Sequence, residues 1–273
     1  MPMNITPLHP FGAEVTGLDL ADVSALQFDQ LVHLVASARV VVFRQQAIDD
    51  ATFVRFLGGF GPLTFTEGET PVEQAPDLNV VSNLGRLTPP RSVFHTDTSY
   101  VARPPSLSAL RPVLLPTQGG LTLFSDQVAA AAGLPPRFRD ALMGRSVWHQ
   151  TTGPDGQPQG TRQPLLRRHP LTGDVALYLS TPQRCTDTSG MDTRTSQRVI
   201  AALYRRSIRP ARLYRHAWQP GDILMWDNRV TMHRADHGGV IGDRVLHRGL
   251  VQGEEPVAAN RAVAGIEHGW AGD

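Results

Sequence analysis

A chain of 273 residues with a formal net charge of +1 has no acidic or basic excess to draw it to nucleic acid or to an anionic membrane surface. Its 26 basic residues are all arginine, which excludes a lysine Schiff base, a lysine general base and a phosphate-binding P-loop. Cys185 is the only cysteine, so no disulfide forms within the chain, no cysteine-based zinc site exists, and a reducing, cytoplasmic setting is expected.

Residues 1–20 read as a short hairpin; they lack the basic and apolar blocks of a signal peptide. Ser24 is a predicted N-cap ahead of Phe28, Leu31, Val32, Leu34 and Val35 at helical spacing. Val40–Phe43, bracketed by Arg39 and Arg44, reads as a buried strand. Asp49 and Asp50 open a second amphipathic helix that Gly58-Gly59 ends. A loop is expected over 61–76, then strands at 78–82, 106–113 and 121–124. A short helix is expected over 134–145 behind its proline pair. The polar Gly/Pro stretch 151–164 predicts a loop of the kind that forms a lid. Strands follow at 165–169 and 175–179, a helix at 195–207, and strands at 212–216, 223–226, 230–234 and 244–252.

No run of about 18 apolar residues suggests a membrane span. Many short strands with few helices predict a mainly β fold, a sandwich or barrel covered by helices on one side. No repeat or internal boundary is evident, so 1–273 is expected to form one domain with a lid insertion around 151–164.

Two distant stretches carry chemistry. In His95-Thr96-Asp97, extended backbone would point an imidazole and a carboxylate to the same side. With a further imidazole they would make the facial triad of two His and one carboxylate typical of non-haem Fe(II) oxygenases. On its own the triplet fits a strand end with local hydrogen bonds equally well. Downstream, an apolar strand leads into Trp226-Asp227-Asn228-Arg229, and Val230-Thr231-Met232 then leads to His233; Arg244 and Arg248 follow.

Taken with Gly17-Leu18-Asp19-Leu20, Val42-Phe43-Arg44, Phe60-Gly61-Pro62-Leu63, His95-Thr96-Asp97-Thr98-Ser99-Tyr100 and Gly119-Gly120-Leu121-Thr122-Leu123-Phe124, these stretches resemble the TauD/TfdA family over nearly the whole chain. These are taurine- and 2,4-dichlorophenoxyacetate-dioxygenase-like enzymes that depend on Fe(II) and 2-oxoglutarate. The resemblance implies a double-stranded β-helix (jelly-roll, cupin-like) core with flanking helices. It implies His95, Asp97 and His233 as iron ligands, Arg244 with Thr122 for the distal carboxylate of 2-oxoglutarate, and O2 as second co-substrate. An arginine fork suits a carboxylate in a way that a lysine does not.

Arg248 has the even spacing from Arg244 that puts both on one strand face, with Val245 and His247 pointing away. The resemblance gives Arg248 the substrate's anionic group; pairing with Asp97 or supporting 2-oxoglutarate are competing readings. Thr66 stands where taurine-type relatives have a histidine, which puts taurine itself in doubt. Trp226 is expected beside the iron or on the pocket floor. Family members that halogenate lack the carboxylate that Asp97 supplies, so oxygen insertion is expected.

The expected partner is a small anionic, carboxylate-bearing molecule, handled by a homo-oligomer with no nucleic acid or membrane involved. Desaturation, cyclisation or C–X cleavage would use the same iron site. A non-catalytic jelly-roll that binds a metal or an anion is the reading from another class. His149, His169 and His216 are expected to be surface or satisfied core residues, and His237 and His247 are weaker competitors of His233.

Overall fold

The computed structural model describes residues 3–85 and 92–260. The remaining positions of the expected 1–273 domain, including the first two residues of the opening hairpin, lie outside the described residues.

The Val40–Phe43 strand explains the layering. Its side chains alternate between two cores, as a strand period of two requires. Val41 and Phe43 face the helices Ala25–Ala38 and Asp50–Gly58, meeting Leu31, Val35, Phe53, Phe56 and Leu57. Val40 and Val42 face inward to Leu224, Trp226, Phe124 and Tyr214. A strand covered on both faces reads as an unbroken apolar run. Each such side chain fully buried contributes about 1.5–3 kcal/mol.

This strand belongs to a nine-stranded sheet. Its order is Asn4–Pro7, Ala13–Thr16, Val40–Phe43, Ile223–Asp227, Leu107–Leu114, Val245–Val251, Ala75–Ser82 and Pro71–Val72, with Leu63–Thr64 added beside the end of Val245–Val251. All pairings are antiparallel except Ala13–Thr16 with Val40–Phe43. A smaller sheet of Leu213–His216, Thr122–Asp126 and Thr231–Ala235 packs against its inner face. Leu123 and Met232 turn the other way, into a core with Ile200 and Leu203 of the helix Thr193–Ser207. Phe124 and His233 therefore point between the sheets. This is the expected jelly-roll class with flanking helices.

Sequence capping was legible. Ser24 and Gln27 form a reciprocal capping box, and Asp49 caps the second helix through the Thr52 amide. Gly249 is required for a different reason. A Cβ there would lie 2.1 Å from Leu57 Cδ1, so a bare backbone lets the second helix lie on the strand Val245–Val251, which carries Arg248 and directly follows Arg244.

Several elements differ from expectation, and the loop expected over 61–76 holds the short strands Leu63–Thr64 and Pro71–Val72. The stretch 151–164 is not a loop: Ser146–Thr152 and Pro158–Pro164 pair as an antiparallel hairpin, extended by Cys185–Thr188. Its ladder is made by backbone groups, so polar side chains hid it. The helix expected over 134–145 is confined to Pro136–Leu142, and Gln127–Ala132 forms a helix capped by Asp126 that the spacing did not reveal. Asp97 starts a turn, with Thr98 at φ 45°, instead of continuing a strand.

Candidate active site

His95 and His233 are joined by a two-bond backbone bridge: His95 N–H donates to His233 O at 3.0 Å, and His233 N–H to His95 O at 2.9 Å. The ring centroids are consequently 4.3 Å apart. Asp97 lies between them, with Oδ1 3.6 Å from His95 Nε2 and Oδ2 3.8 Å from His233 Nε2. One potential ligand atom from each of the three residues lies within 4.8 Å of the others, and this is the group of ligand type found among the described residues.

The donors are in the right state for a divalent ion. His95 Nδ1 lies 3.0 Å from Val93 O; a carbonyl can only accept, so Nδ1 carries the proton and Nε2 presents a lone pair. Burial pushes the His233 pKa down to about 3, outweighing the pull of Asp97, so its ring is neutral. Burial pushes Asp97 the other way, but the Arg248 guanidinium and both imidazoles hold it well below the usual carboxylate range. Ser108 Oγ donates to its Oδ2 at 2.9 Å and Arg248 Nη1 to its Oδ1 at 3.0 Å. The residues present therefore fit a borderline divalent cation such as Fe(II). His233 Nδ1 is buried with no partner.

Asn228 fixes the turn that carries Asp97. Its Oδ1 accepts the Asp97 N–H at 3.0 Å, while its Nδ2 donates to Asp97 O at 3.1 Å and Pro105 O at 3.0 Å. The sequence motif contained Asn228 without disclosing this clamp. Ser108 gave no signal beyond a polar residue in an apolar strand.

His95, His233, Trp226, Thr122, Arg244 and Arg248 all line one cavity of ≈ 280 Å³, together with Glu69. Arg244 is buried, donating from Nε to Gly120 O and from Nη2 to Thr122 Oγ1, each at 3.2 Å. Burial lowers its pKa to about 10, so it stays charged near neutral pH. No carboxylate pairs with it among the described residues. Thr122 Oγ1 also accepts from Trp218 Nε1 at 3.1 Å, which leaves the hydroxyl hydrogen free to donate. A charged fork with a hydroxyl beside it is a receptor for a carboxylate.

Trp226 packs 4.5 Å from the His233 ring and 5.2 Å from Phe124, centroid to centroid, forming an apolar floor. Arg248 reaches Asp97 and also Glu69, Nη2 to Oε1 at 3.5 Å. Thr66 does not line the cavity; its hydroxyl is 3.1 Å from that of Thr98. His149, His169 and His216 are buried and partnered by Ser99, Asp227 and Asp222. His247 points outward to Asp50 at 2.8 Å, which removes it from the site.

A model of the taurine catabolism dioxygenase TauD, TfdA family matches residues 4–250. The chain belongs to this family. As a TauD/TfdA protein it is a non-haem iron oxidoreductase that uses alpha-ketoglutarate (2-oxoglutarate) and O2. The (S)-phenoxypropionate/alpha-ketoglutarate-dioxygenase of Sphingobium herbicidovorans is 26% identical, with 92% of this chain and 95% of the relative covered. Among solved structures, a taurine dioxygenase from Burkholderia xenovorans superposes with a TM-score of 0.84 at 31% identity, covering 94% of this chain and 91% of that one. AAD-2 in complex with Mn(II) and N-oxalylglycine gives 0.81 at 27% identity, covering 94% and 99%. No helix among the described residues is long and apolar enough to cross a membrane.

Proposed function

We propose that this TauD/TfdA dioxygenase holds its iron on His95 Nε2, Asp97 and His233 Nε2, seats 2-oxoglutarate on Arg244 and Thr122, and oxidises a small anionic substrate, most simply by hydroxylating it. The observation that carries the reading is the convergence of the three donors, two of which line a cavity shared with a buried arginine that has no acidic partner among the described residues.

With iron bound, 2-oxoglutarate and O2 supply the oxidation: the keto acid leaves as succinate and CO2, and one oxygen atom goes to a C–H bond of the substrate. The chain's own residues organise this. The backbone bridge sets the spacing of the two rings, and Val93 fixes the tautomer that aims His95 Nε2. Ser108 and Arg248 keep Asp97 ionised and oriented, with one oxygen edge toward the imidazoles. Arg244 and the Thr122 hydroxyl meet the distal carboxylate, and removal from water strengthens that pairing. Trp226, backed by Phe124, gives the cavity a water-excluding apolar wall.

Arg248 and Trp226 are the proposed substrate contacts, with Thr66, which lies off the cavity, in a supporting role. Thr66 would act through the Thr98 turn it braces. A carboxylate-bearing substrate agrees with the phenoxypropionate named for the Sphingobium relative. The hairpin Ser146–Pro164 is the proposed lid. Its inner strand is tied to the turn after Asp97 through His149 to Ser99 Oγ at 2.9 Å, and Gln163 Nε2 donates to Ser99 O at 3.1 Å. The working unit proposed is a cytoplasmic homo-oligomer of single-domain chains, which light scattering on purified protein would test.

The decisive experiment is succinate formation with matching O2 uptake in the presence of Fe(II). His95→Ala and Asp97→Ala should each abolish both; undiminished turnover in either variant would refute the ligand assignment.

A further inference from the structure

His95 and Val93 line two cavities. One contains Arg244 and Arg248. The other, of ≈ 350 Å³, adjoins it through those two residues and is walled by Thr181, Gln183 and Arg184. The charges on the two sides are differently matched. Arg248 is bracketed by Asp97 at 3.0 Å and Glu69 at 3.5 Å. In the reading proposed above, Arg244 is taken by the distal carboxylate of 2-oxoglutarate. Both arginines of that cavity therefore already have an anion to answer, without Arg184.

Arg184 makes no ion pair among the described residues. Its guanidinium lies 5.2 Å from the centre of the Tyr100 ring, and the Tyr100 phenol feels the charges of Arg184, Glu69, Arg248 and Asp97 together. That places an uncompensated cation at the rim of the iron site. It is also rigidly mounted. Arg184 N–H donates to Thr181 O at 2.9 Å, and Arg184 O accepts from Gln150 N–H at 2.9 Å, in the short turn before Cys185. The cation over the Tyr100 ring face is a cation–π contact, which leaves the charge of the guanidinium unneutralised.

We infer that Arg184 is the residue that selects the charge of the primary substrate: the substrate occupies the cavity between His95 and the Thr181–Arg184 turn, and its acidic group is held by Arg184. This rests on the anionic substrate proposed above and names the residue that recognises it. Arg248, charge-matched by Asp97 and Glu69, then steadies Asp97 from the adjoining cavity. Gln183 and Thr181 supply neutral donors beside the fork.

The test is binding of acid and amide pairs to the Mn(II)- and N-oxalylglycine-loaded protein, followed by calorimetry without O2. Phenoxyacetate against phenoxyacetamide and hexanesulfonate against hexanesulfonamide are the probes. Wild type should bind the acid of at least one pair about tenfold more tightly than the amide, as for one charge-assisted hydrogen bond. Arg184→Gln should shrink that preference to about twofold or less and Arg184→Lys should recover part of it, with N-oxalylglycine affinity unchanged in both. A preference that survives intact in Arg184→Gln overturns the inference and leaves charge selection with Arg248. Equal binding of acid and amide by wild type, or binding of neither acid, removes the anionic-substrate reading and this inference with it. The two failures are therefore distinguishable.

Discussion

Arg248 Nη1 donates to Asp97 Oδ1 at 3.0 Å, joining the strand Val245–Val251 to the turn that follows His95. Both side chains are largely buried, at 11% and 4% exposed. Removing the arginine leaves a buried carboxylate without its cation, which costs about 3 kcal/mol in such pairs. Arg248→Ala should therefore destabilise the metal-free protein by about that amount. Much of the loss should return on adding Mn(II), which takes over the balancing of Asp97. Urea denaturation with and without the metal measures both; an equal loss in the two conditions would contradict the linkage.

Asn228 bonds two backbone groups of Asp97 and the carbonyl of Pro105. Asn228→Ala strips partners from buried groups, each worth about 1–3 kcal/mol, and frees the turn that aims the carboxylate. Mn(II) affinity should fall about tenfold or more. Asn228→Asp should do no better, because a carboxylate cannot donate to two carbonyls. Metal titration of the folded variants reads this out, and unchanged affinity in Asn228→Ala would show the clamp to be dispensable.

Thr122 and Arg244 should separate kinetically from the iron ligands. Thr122→Val removes one hydroxyl contact and should raise the KM for 2-oxoglutarate about tenfold with kcat little changed. Arg244→Gln removes the charge and should raise it by about a hundredfold or more. Initial rates of succinate formation against 2-oxoglutarate concentration check this. A KM that does not move in Arg244→Gln would relocate the keto-acid site.

Acid should weaken the fold through His149. Burial pushes its pKa down to about 3 from an ordinary 6.5, so it stays neutral in the folded protein while the unfolded chain takes up a proton below about 6.5. Its contribution is unchanged above that pH, and stability is lost progressively as pH falls from 6.5 toward 3. His149→Asn should flatten that part of the profile of denaturation midpoint against pH. Parallel profiles for variant and wild type would assign the acid sensitivity elsewhere.

Much of the architecture was legible because burial leaves a periodic trace. The doubly covered Val40–Phe43 strand and the capped helices at Ser24 and Asp49 follow from local sequence. The triad was suggested only by the family resemblance, because His95-Thr96-Asp97 alone fits a strand end and nothing local marks His233 among ten histidines. The Ser146–Pro164 hairpin was hidden because its pairing uses backbone groups under polar side chains. Asn228, Ser108 and Glu69 act across turns that are close only in the folded chain, as the separation of 131 positions between Asn228 and Asp97 illustrates. Arg184 was one arginine among many until His95 and Tyr100 were seen beside it.

The bridge between His95 and His233 is made entirely of main-chain atoms. The gap between the rings is therefore inherited from the scaffold and owes nothing to the identity of the side chain at position 97. A substitution there would change how many ligand positions an ion has left to offer, while the bracket that grips it keeps its width. Reactivity at this centre is thus open to alteration one residue at a time, without rebuilding the frame.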